Sequence, residues 1–194
     1  MGWVMTLDKE KELPQRKSLR WQGFDYSRSG AYFITICTEN RRQILSRIIA
    51  DSEIGEKSNN QQSVGIGVFD DPPNVELLPY GIIANKYIKQ LNEFYDMIDV
   101  DKYVIMPNHI HILLILKPNE NGSSRTPIPT VQNSTVSQFV STFKRFCNKE
   151  CGENIWQSHF YDHIIRNQDD YDEIVKYIRD NPKRWLYDEL YAEE

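Results

Sequence analysis

Tyr103-Val-Ile-Met-Pro-Asn-His-Ile-His-Ile-Leu-Leu-Ile-Leu116 is the stretch on which the fold turns. It is rich in β-branched and apolar residues, so it reads as two buried strand signals, roughly 99–106 and 109–116, broken at Pro107-Asn108. On a strand, side chains two apart point to the same face. His109 and His111 therefore project together from a rigid sheet. Paired neutral imidazoles are a good start for a divalent cation site. Two histidines alone are an incomplete ligand set, and the same pair can equally be satisfied inside a core. The rest of the chain has to decide between these readings.

Working outward, Ala31-Tyr-Phe-Ile-Thr-Ile-Cys-Thr38 is a second strand, built from residues that suit a pleated, half-buried surface. Residues 51–73 are polar, with Ser-Asn-Asn-Gln-Gln and Asp-Asp-Pro-Pro, and read as a long loop with a short strand near 75–78. Ile82 to Met97 carries Ile83, Tyr87, Leu91 and Phe94 at helical spacing. Residues 118–133 have Pro, Asn, Ser, Gly and Thr without periodicity and read as a flexible connection. Ser134 or Thr135 can cap a helix whose stripe is Val136, Phe139, Val140 and Phe143. Trp156 to Ile165 reads as a strand. Gln168 to Asp180 is a last amphipathic helix, stopped at Asn181-Pro182. The order strand, helix, strand, strand, helix, strand gives an α+β, ferredoxin-like antiparallel sheet with helices on one face. The seventh element is a C-terminal helix carrying a tyrosine. The expectation is one domain over 1–194, with flexible insertions near 51–73 and 118–133.

Hydrophobic residues at 40% and charged residues at 26% are ordinary for a soluble globular chain. No run approaches the ~18 apolar residues of a membrane span, and no secretory signal follows the N-terminus. The three cysteines, Cys37, Cys147 and Cys151, suggest a reducing compartment rather than a disulfide framework. Cys147 and Cys151 lie one helical turn apart and read as small residues on a helix. The net charge of −5 argues mildly against nucleic acid as a partner. The charge is zoned, however. Residues 1–50 and 102–150 are net basic, whereas 51–101 and 151–194 are net acidic, so a basic surface can coexist with an acidic total.

On the last helix, Tyr171, Ile174, Val175 and Ile178 form the core stripe, and Tyr171 is structural. Tyr177 falls off that stripe with Asn181 one turn further along on its own side. Taken singly these are an exposed tyrosine and a helix end before proline. Together with His109 and His111 they form a constellation that resembles the HUH (His-hydrophobic-His) single-tyrosine transposases acting on single-stranded DNA. It is similar above all to the branch associated with repetitive extragenic palindromes. The blocks that carry the likeness are Gly23-Phe-Asp-Tyr-Ser-Arg-Ser-Gly-Ala-Tyr-Phe-Ile-Thr-Ile-Cys-Thr38, Val104-Ile-Met-Pro-Asn-His-Ile-His111, Trp156-Gln157, Tyr161-Asp-His-Ile-Ile-Arg166 and Tyr177-Ile-Arg-Asp-Asn-Pro182. They extend over nearly the whole chain, in the family's order.

The resemblance implies a ferredoxin-like fold, a Mg²⁺ or Mn²⁺ ion and a 5′-phosphotyrosine intermediate. It carries the metal-binding histidines onto His109 and His111, the nucleophile onto Tyr177 and a third metal ligand onto Asn181. The implied partner is single-stranded or hairpin DNA, met by a monomer or homodimer in the bacterial cytoplasm at the nucleoid, away from membranes. DNA contacts are expected from cations on phosphates and aromatics on splayed bases. The candidates are Arg16, Lys17, Arg20, Trp21, Arg28, Lys144 and Arg145. Two features depart from the family plan: the acidic total and the two long polar loops. A non-catalytic DNA-binding descendant and a water-using metal phosphodiesterase are the alternatives. His159 and His163 are further proton-carrying candidates, though the family motif does not require them.

Overall fold

Strand β1, Gly30–Cys37, lies at the middle of the molecule with β5, His109–Leu116, hydrogen-bonded along one edge and β6, Tyr161–Ile165, along the other. β4, Ile98–Ile105, completes a four-stranded antiparallel sheet in the order β4-β5-β1-β6. The computed structural model describes residues 28–49, 75–118 and 134–191. The expected insertion 51–73 and most of 118–133 lie outside the described residues.

Helix α1, Pro79–Phe94, joins β1 to β4 after a small hairpin of β2, Ser46–Ile48, and β3, Val75–Leu77. Helix α2, Thr135–Cys151, joins β5 to β6. Setting the hairpin aside, the order is the βαββαβ plan read from the sequence. Both helices pack on one face, where Ala84, Ile88 and Leu91 of α1 and Val136, Phe139, Val140 and Phe143 of α2 meet Ile34, Ile36, Ile110, Ile112 and Leu114. Helix α3, Gln168–Asp180, covers the other face with Ile178 against Val104, Met106 and Leu113. Among the described residues, no helix is long and apolar enough to cross a membrane.

Three boundaries differ from the sequence expectation. α1 begins at Pro79 rather than Ile82, because proline's fixed φ and missing N–H suit the first helical turn. It ends at Phe94, which stays 75% exposed. Its buried line runs through Ala84, Ile88 and Leu91 rather than through Phe94. The strand expected over 156–165 is confined to Tyr161–Ile165. Trp156 makes a single bridge to Thr38 and turns inward against Phe143, with ring centroids 5.4 Å apart. Core packing of the indole replaces the ladder there. The strand β2 had no strong signal in three residues. Its segment nonetheless supports the site: Leu45 N–H donates to Pro107 O at 3.0 Å and Ser46 Oγ donates to Ile105 O at 2.9 Å. Gly81 permits this arrangement, since a Cβ there would lie 1.9 Å from Leu45 O.

α2 starts as expected, with Ser134 Oγ accepting from Ser137 N–H at 3.3 Å. It stops at Gly152, whose φ of 75° is the left-handed conformation that glycine adopts without a Cβ clash. Beyond α3, Pro182–Tyr187 forms a short 3₁₀ turn that buries Trp185 against the α3 face of the sheet.

Candidate active site

The reversal at Met106-Pro107-Asn108 sets the first residue of β5. Met106 N–H donates to His109 O at 2.9 Å, and Thr38 N–H donates to Asn108 O at 2.9 Å. His109 and His111 leave the strand on the α3 side, with Ile110 and Ile112 on the other. Both imidazoles are buried. Their Nε2 atoms face each other at 3.0 Å.

The hydrogen-bond network fixes much of their protonation. Asn108 Nδ2 donates to Leu190 O at 2.8 Å, so its Oδ1 is the acceptor that meets His109 Nδ1 at 2.8 Å. His109 therefore carries its proton on Nδ1 and presents a bare Nε2. His111 Nδ1 lies 2.9 Å from Thr35 Oγ1, across the β1–β5 register. Threonine can donate or accept there. When it accepts, His111 Nε2 is bare too, and two lone pairs converge on one point. Burial pushes His109 down to about 3, with Arg41 adding to the effect. Burial, then the neighbouring His109, holds His111 well below the ordinary imidazole value. Neutral, oriented imidazoles are what cation ligation requires.

α3 brings the tyrosine to this corner. Tyr177 Oη lies 3.4 Å from His111 Nε2, and the two rings meet edge to face at 5.2 Å. Phe33 stacks on His111 at 5.0 Å and turns against Tyr177 at 5.9 Å, fixing both rings. Trp185 approaches His109 at 5.9 Å from the other side. Tyr177 is 40% exposed. Its phenol is pushed up to about 12, mainly by partial burial and then by the charge of Asp188, while Asn181 works the other way. Such a phenol stays protonated at neutral pH and needs a cation or base to become a nucleophile.

Asn181 ends α3 one turn after Tyr177, and its N–H donates to Tyr177 O at 2.9 Å. Its Nδ2 donates to Asp188 Oδ2 at 2.8 Å. Its Oδ1 is buried without a hydrogen-bond partner, a costly state for an amide oxygen unless something electropositive meets it. The orphaned oxygen and the facing imidazole nitrogens make a donor set that fits a divalent cation. Among the described residues, His109, His111 and Asp188 each place a ligand atom within 4.8 Å of the other two. A groove of about 520 Å³ opens over the corner, lined by Lys176, Tyr177, Asn181, Arg184, Tyr187 and Asp188 among others.

The four residues singled out by the sequence, His109, His111, Tyr177 and Asn181, thus meet in one place. The DNA-contact candidates do not. Arg16, Lys17, Arg20 and Trp21 lie outside the described residues. Arg28 is exposed just before β1. Lys144 and Arg145 sit on α2, on the far side of the sheet. The Lys144 ammonium donates to the carbonyls of Gln157 and His159 at 2.7 and 2.8 Å, holding the chain before β6. Arg145 lies over the Phe146 ring at 5.2 Å. His163 pairs with Asp170 at 2.9 Å and ties β6 to the start of α3. Asp188, Asn108 and Thr35 were missed by sequence reasoning. Thr35 could have been found from the register of β1 on β5. Asp188 had no signal, since the stretch after Pro182 has no usable periodicity.

Comparison with known proteins gives a family and a shared fold. The family described as "Transposase IS200 like" matches residues 81–181. That segment is just over half the chain and holds both histidines, Tyr177 and Asn181. The protein belongs to the IS200-like transposase family, which makes it an enzyme of the nuclease and transposase kind. An uncharacterized protein of Haemophilus influenzae is 28% identical, aligned over 97% of this chain and all of that one. The REP-associated tyrosine transposase of Escherichia coli K12 is 32% identical over 43% of this chain, a match spanning 44% of that protein. Among solved structures, a REP-associated tyrosine transposase bound to a REP hairpin superimposes with a TM-score of 0.52 at 19% identity. That match covers 87% of this chain and 75% of the other, and it establishes a shared fold.

Proposed function

We propose that this protein nicks and rejoins single-stranded or hairpin DNA through a 5′-phosphotyrosine on Tyr177, with Mg²⁺ or Mn²⁺ held by His109, His111 and Asn181. The observation that carries the reading is the convergence at one corner of two facing imidazole nitrogens, an orphaned amide oxygen and a tyrosine hydroxyl 3.4 Å from His111. A related transposase was solved on a REP hairpin, which supports a hairpin as the substrate class here.

A bound divalent cation supplies neutralisation of the phosphodiester charge and alignment of the phosphate for in-line attack. The chain supplies the rest. Phe33 and His111 hold the Tyr177 ring so that Oη faces the site. The phenol proton leaves and Oη bonds to phosphorus. The P–O3′ bond breaks, and the departing 3′ oxygen takes a proton. Reversal by another 3′-OH breaks the tyrosine–phosphorus bond and restores the phenol. One ester bond replaces another at each step, so no nucleotide cofactor is needed. Lys176 and Arg184 line the groove as phosphate partners, and Tyr187, 87% exposed, offers a ring face to an unpaired base. The work would take place at the nucleoid in the bacterial cytoplasm.

The test is incubation with labelled hairpin-bearing single strands and Mn²⁺. The expected result is a protein–DNA adduct that survives denaturation and is absent with Tyr177→Phe. Cleavage without adduct in both proteins would replace this reading with a water-using phosphodiesterase. Binding without cleavage in either would replace it with a DNA-binding protein.

A further inference from the structure

We infer that Asp188 is a cation ligand in its own right, the anionic donor of the site, contributed by the chain beyond the tyrosine helix. This rests on the reading of His109 and His111 as cation donors. The first support is position. A carboxylate oxygen of Asp188 lies within 4.8 Å of a ring nitrogen of each histidine. Donors about 2 Å from one ion stand at most about 4 Å apart, so a small closing movement of the side chains brings all three onto one ion.

The second support is that the carboxylate is held in place rather than resting there. Asn181 Nδ2 donates to Oδ2 at 2.8 Å, and Leu190 N–H donates to Oδ1 at 2.7 Å. Leu190 O in turn accepts from Asn108 Nδ2, whose Oδ1 orients His109. A continuous chain of hydrogen bonds therefore runs from His109 through Asn108 and Leu190 to Asp188, and on to Asn181. Each carboxylate oxygen has two lone-pair positions, so these two donors do not exhaust its capacity to accept. Fixing ligands through outer partners is how metal sites set geometry.

The third support is charge. Two imidazoles and a carboxamide are neutral, and a divalent ion among them would keep its whole charge in a buried corner. One carboxylate offsets half of that charge. It also shifts the donor set toward mixed nitrogen and hard oxygen, which suits Mn²⁺ and leaves positions for phosphate oxygens. Because Asp188 lies eleven positions after Tyr177 in the sequence, ligation would pin the tail and α3 to the sheet of the same chain.

The experiment uses the full chain and two probes, Mn²⁺ affinity by calorimetry and the visible spectrum of bound Co²⁺. Asp188→Asn keeps the side-chain shape and should fold. It should weaken Mn²⁺ binding by at least ~10-fold, the scale at which even an outer partner registers, and should alter the Co²⁺ bands. His109→Ala is the reference for loss of the site. If Asp188→Asn binds Mn²⁺ as wild type does while His109→Ala does not, Asp188 is no ligand and the histidine reading stands. An affinity loss with an unchanged Co²⁺ spectrum also overturns the inference, because the charge then acts only through space. If wild type and His109→Ala bind alike, both readings fall together.

Discussion

The two faces of β5 are buried to the same degree and do opposite things. Ile110 and Ile112 are 0% exposed on one face, and His109 and His111 are 0% and 2% exposed on the other. Under α1 and α2, burial removes apolar surface from water and stabilises the fold. Under α3, burial strips water from two imidazoles and costs stability unless every nitrogen finds a partner. Asn108 and Thr35 satisfy the Nδ1 atoms, but the Nε2 atoms are left facing each other. One strand thus carries an apolar face that contributes stability and a face that gives some of it up to hold two imidazoles with their Nε2 atoms 3.0 Å apart. Exposure alone would never distinguish them.

The largest effects expected on the α3 face are all-or-none. Tyr177→Phe should remove the covalent adduct completely, yet shift the melting temperature by no more than a degree or two, since only a half-exposed hydroxyl is lost. Tyr171, six positions earlier, should behave in the opposite way. It packs beside Ile174 and Val175, and its hydroxyl donates to Asp101. Tyr171→Ala should cost about 2–4 kcal/mol without removing the adduct in protein that remains folded. An adduct in Tyr177→Phe that maps to another tyrosine would break the assignment.

On the other face, Ile112→Ala should lower unfolding free energy by about 3–4 kcal/mol, as a cavity in a close-packed core does. Mn²⁺ affinity should not change. His111→Ala should abolish both Mn²⁺ binding and adduct, with the smaller stability change of the two. Urea unfolding with parallel calorimetry checks both. Equal stability losses from the pair would show that the faces are less distinct than their chemistry suggests.

A smaller effect follows from His109. Its native imidazole is held down to about 3, against 6.5 for an ordinary histidine. Between those values the unfolded chain takes a proton that the native one refuses, so stability falls as the solution is acidified. The contribution is fully present above 6.5 and is lost progressively down to about 3. At about 1.4 kcal/mol per unit, the loss between pH 6.5 and 5 is roughly 2 kcal/mol from this residue. His111 acts in the same direction. Urea unfolding at pH 7 and pH 5, with chelator present, should show this slope, and His109→Ala should flatten it. An unchanged slope would mean that the buried imidazole is not the group responsible.

What was legible in the sequence follows the same division. Alternation with a period of two placed His109 and His111 together because a strand leaves no other choice. Helical periodicity put Tyr177 beside Asn181 for a similar reason, whereas Tyr171, expected in the core, is only partly buried and packs against the edge of the cluster around Ile178. Elements with weak periodicity escaped: the three-residue β2, and the stretch after Trp156 where the indole leaves the ladder for the core. Asp188 escaped because its position depends on a turn locked by Trp185 and on hydrogen bonds from Asn181 and Leu190, none of which leaves a repeating signature. Local patterns report faces of elements, whereas a loop carboxylate is placed by tertiary contacts alone.

The smallest expected effect is none, and it tests whether the α3 face is complete within one chain. Here α3 packs on its own sheet through Ile178, and the turn beyond it buries Trp185 beside His109 of the same chain. Asn108 Nδ2 holds Leu190 O, closing the tail over the corner. An exchange of α3 would break these contacts before making new ones. Mixing His109→Ala protein with Tyr177→Phe protein should therefore leave both inactive. Each chain would hold half a site, and neither half could reach the other. Cleavage restored to near a quarter of the wild-type level, the share expected when half the dimers are mixed and each mixed dimer has one intact site, would mean that Tyr177 of one chain serves the histidines of another, and the self-contained face described above would have to be redrawn as an interface.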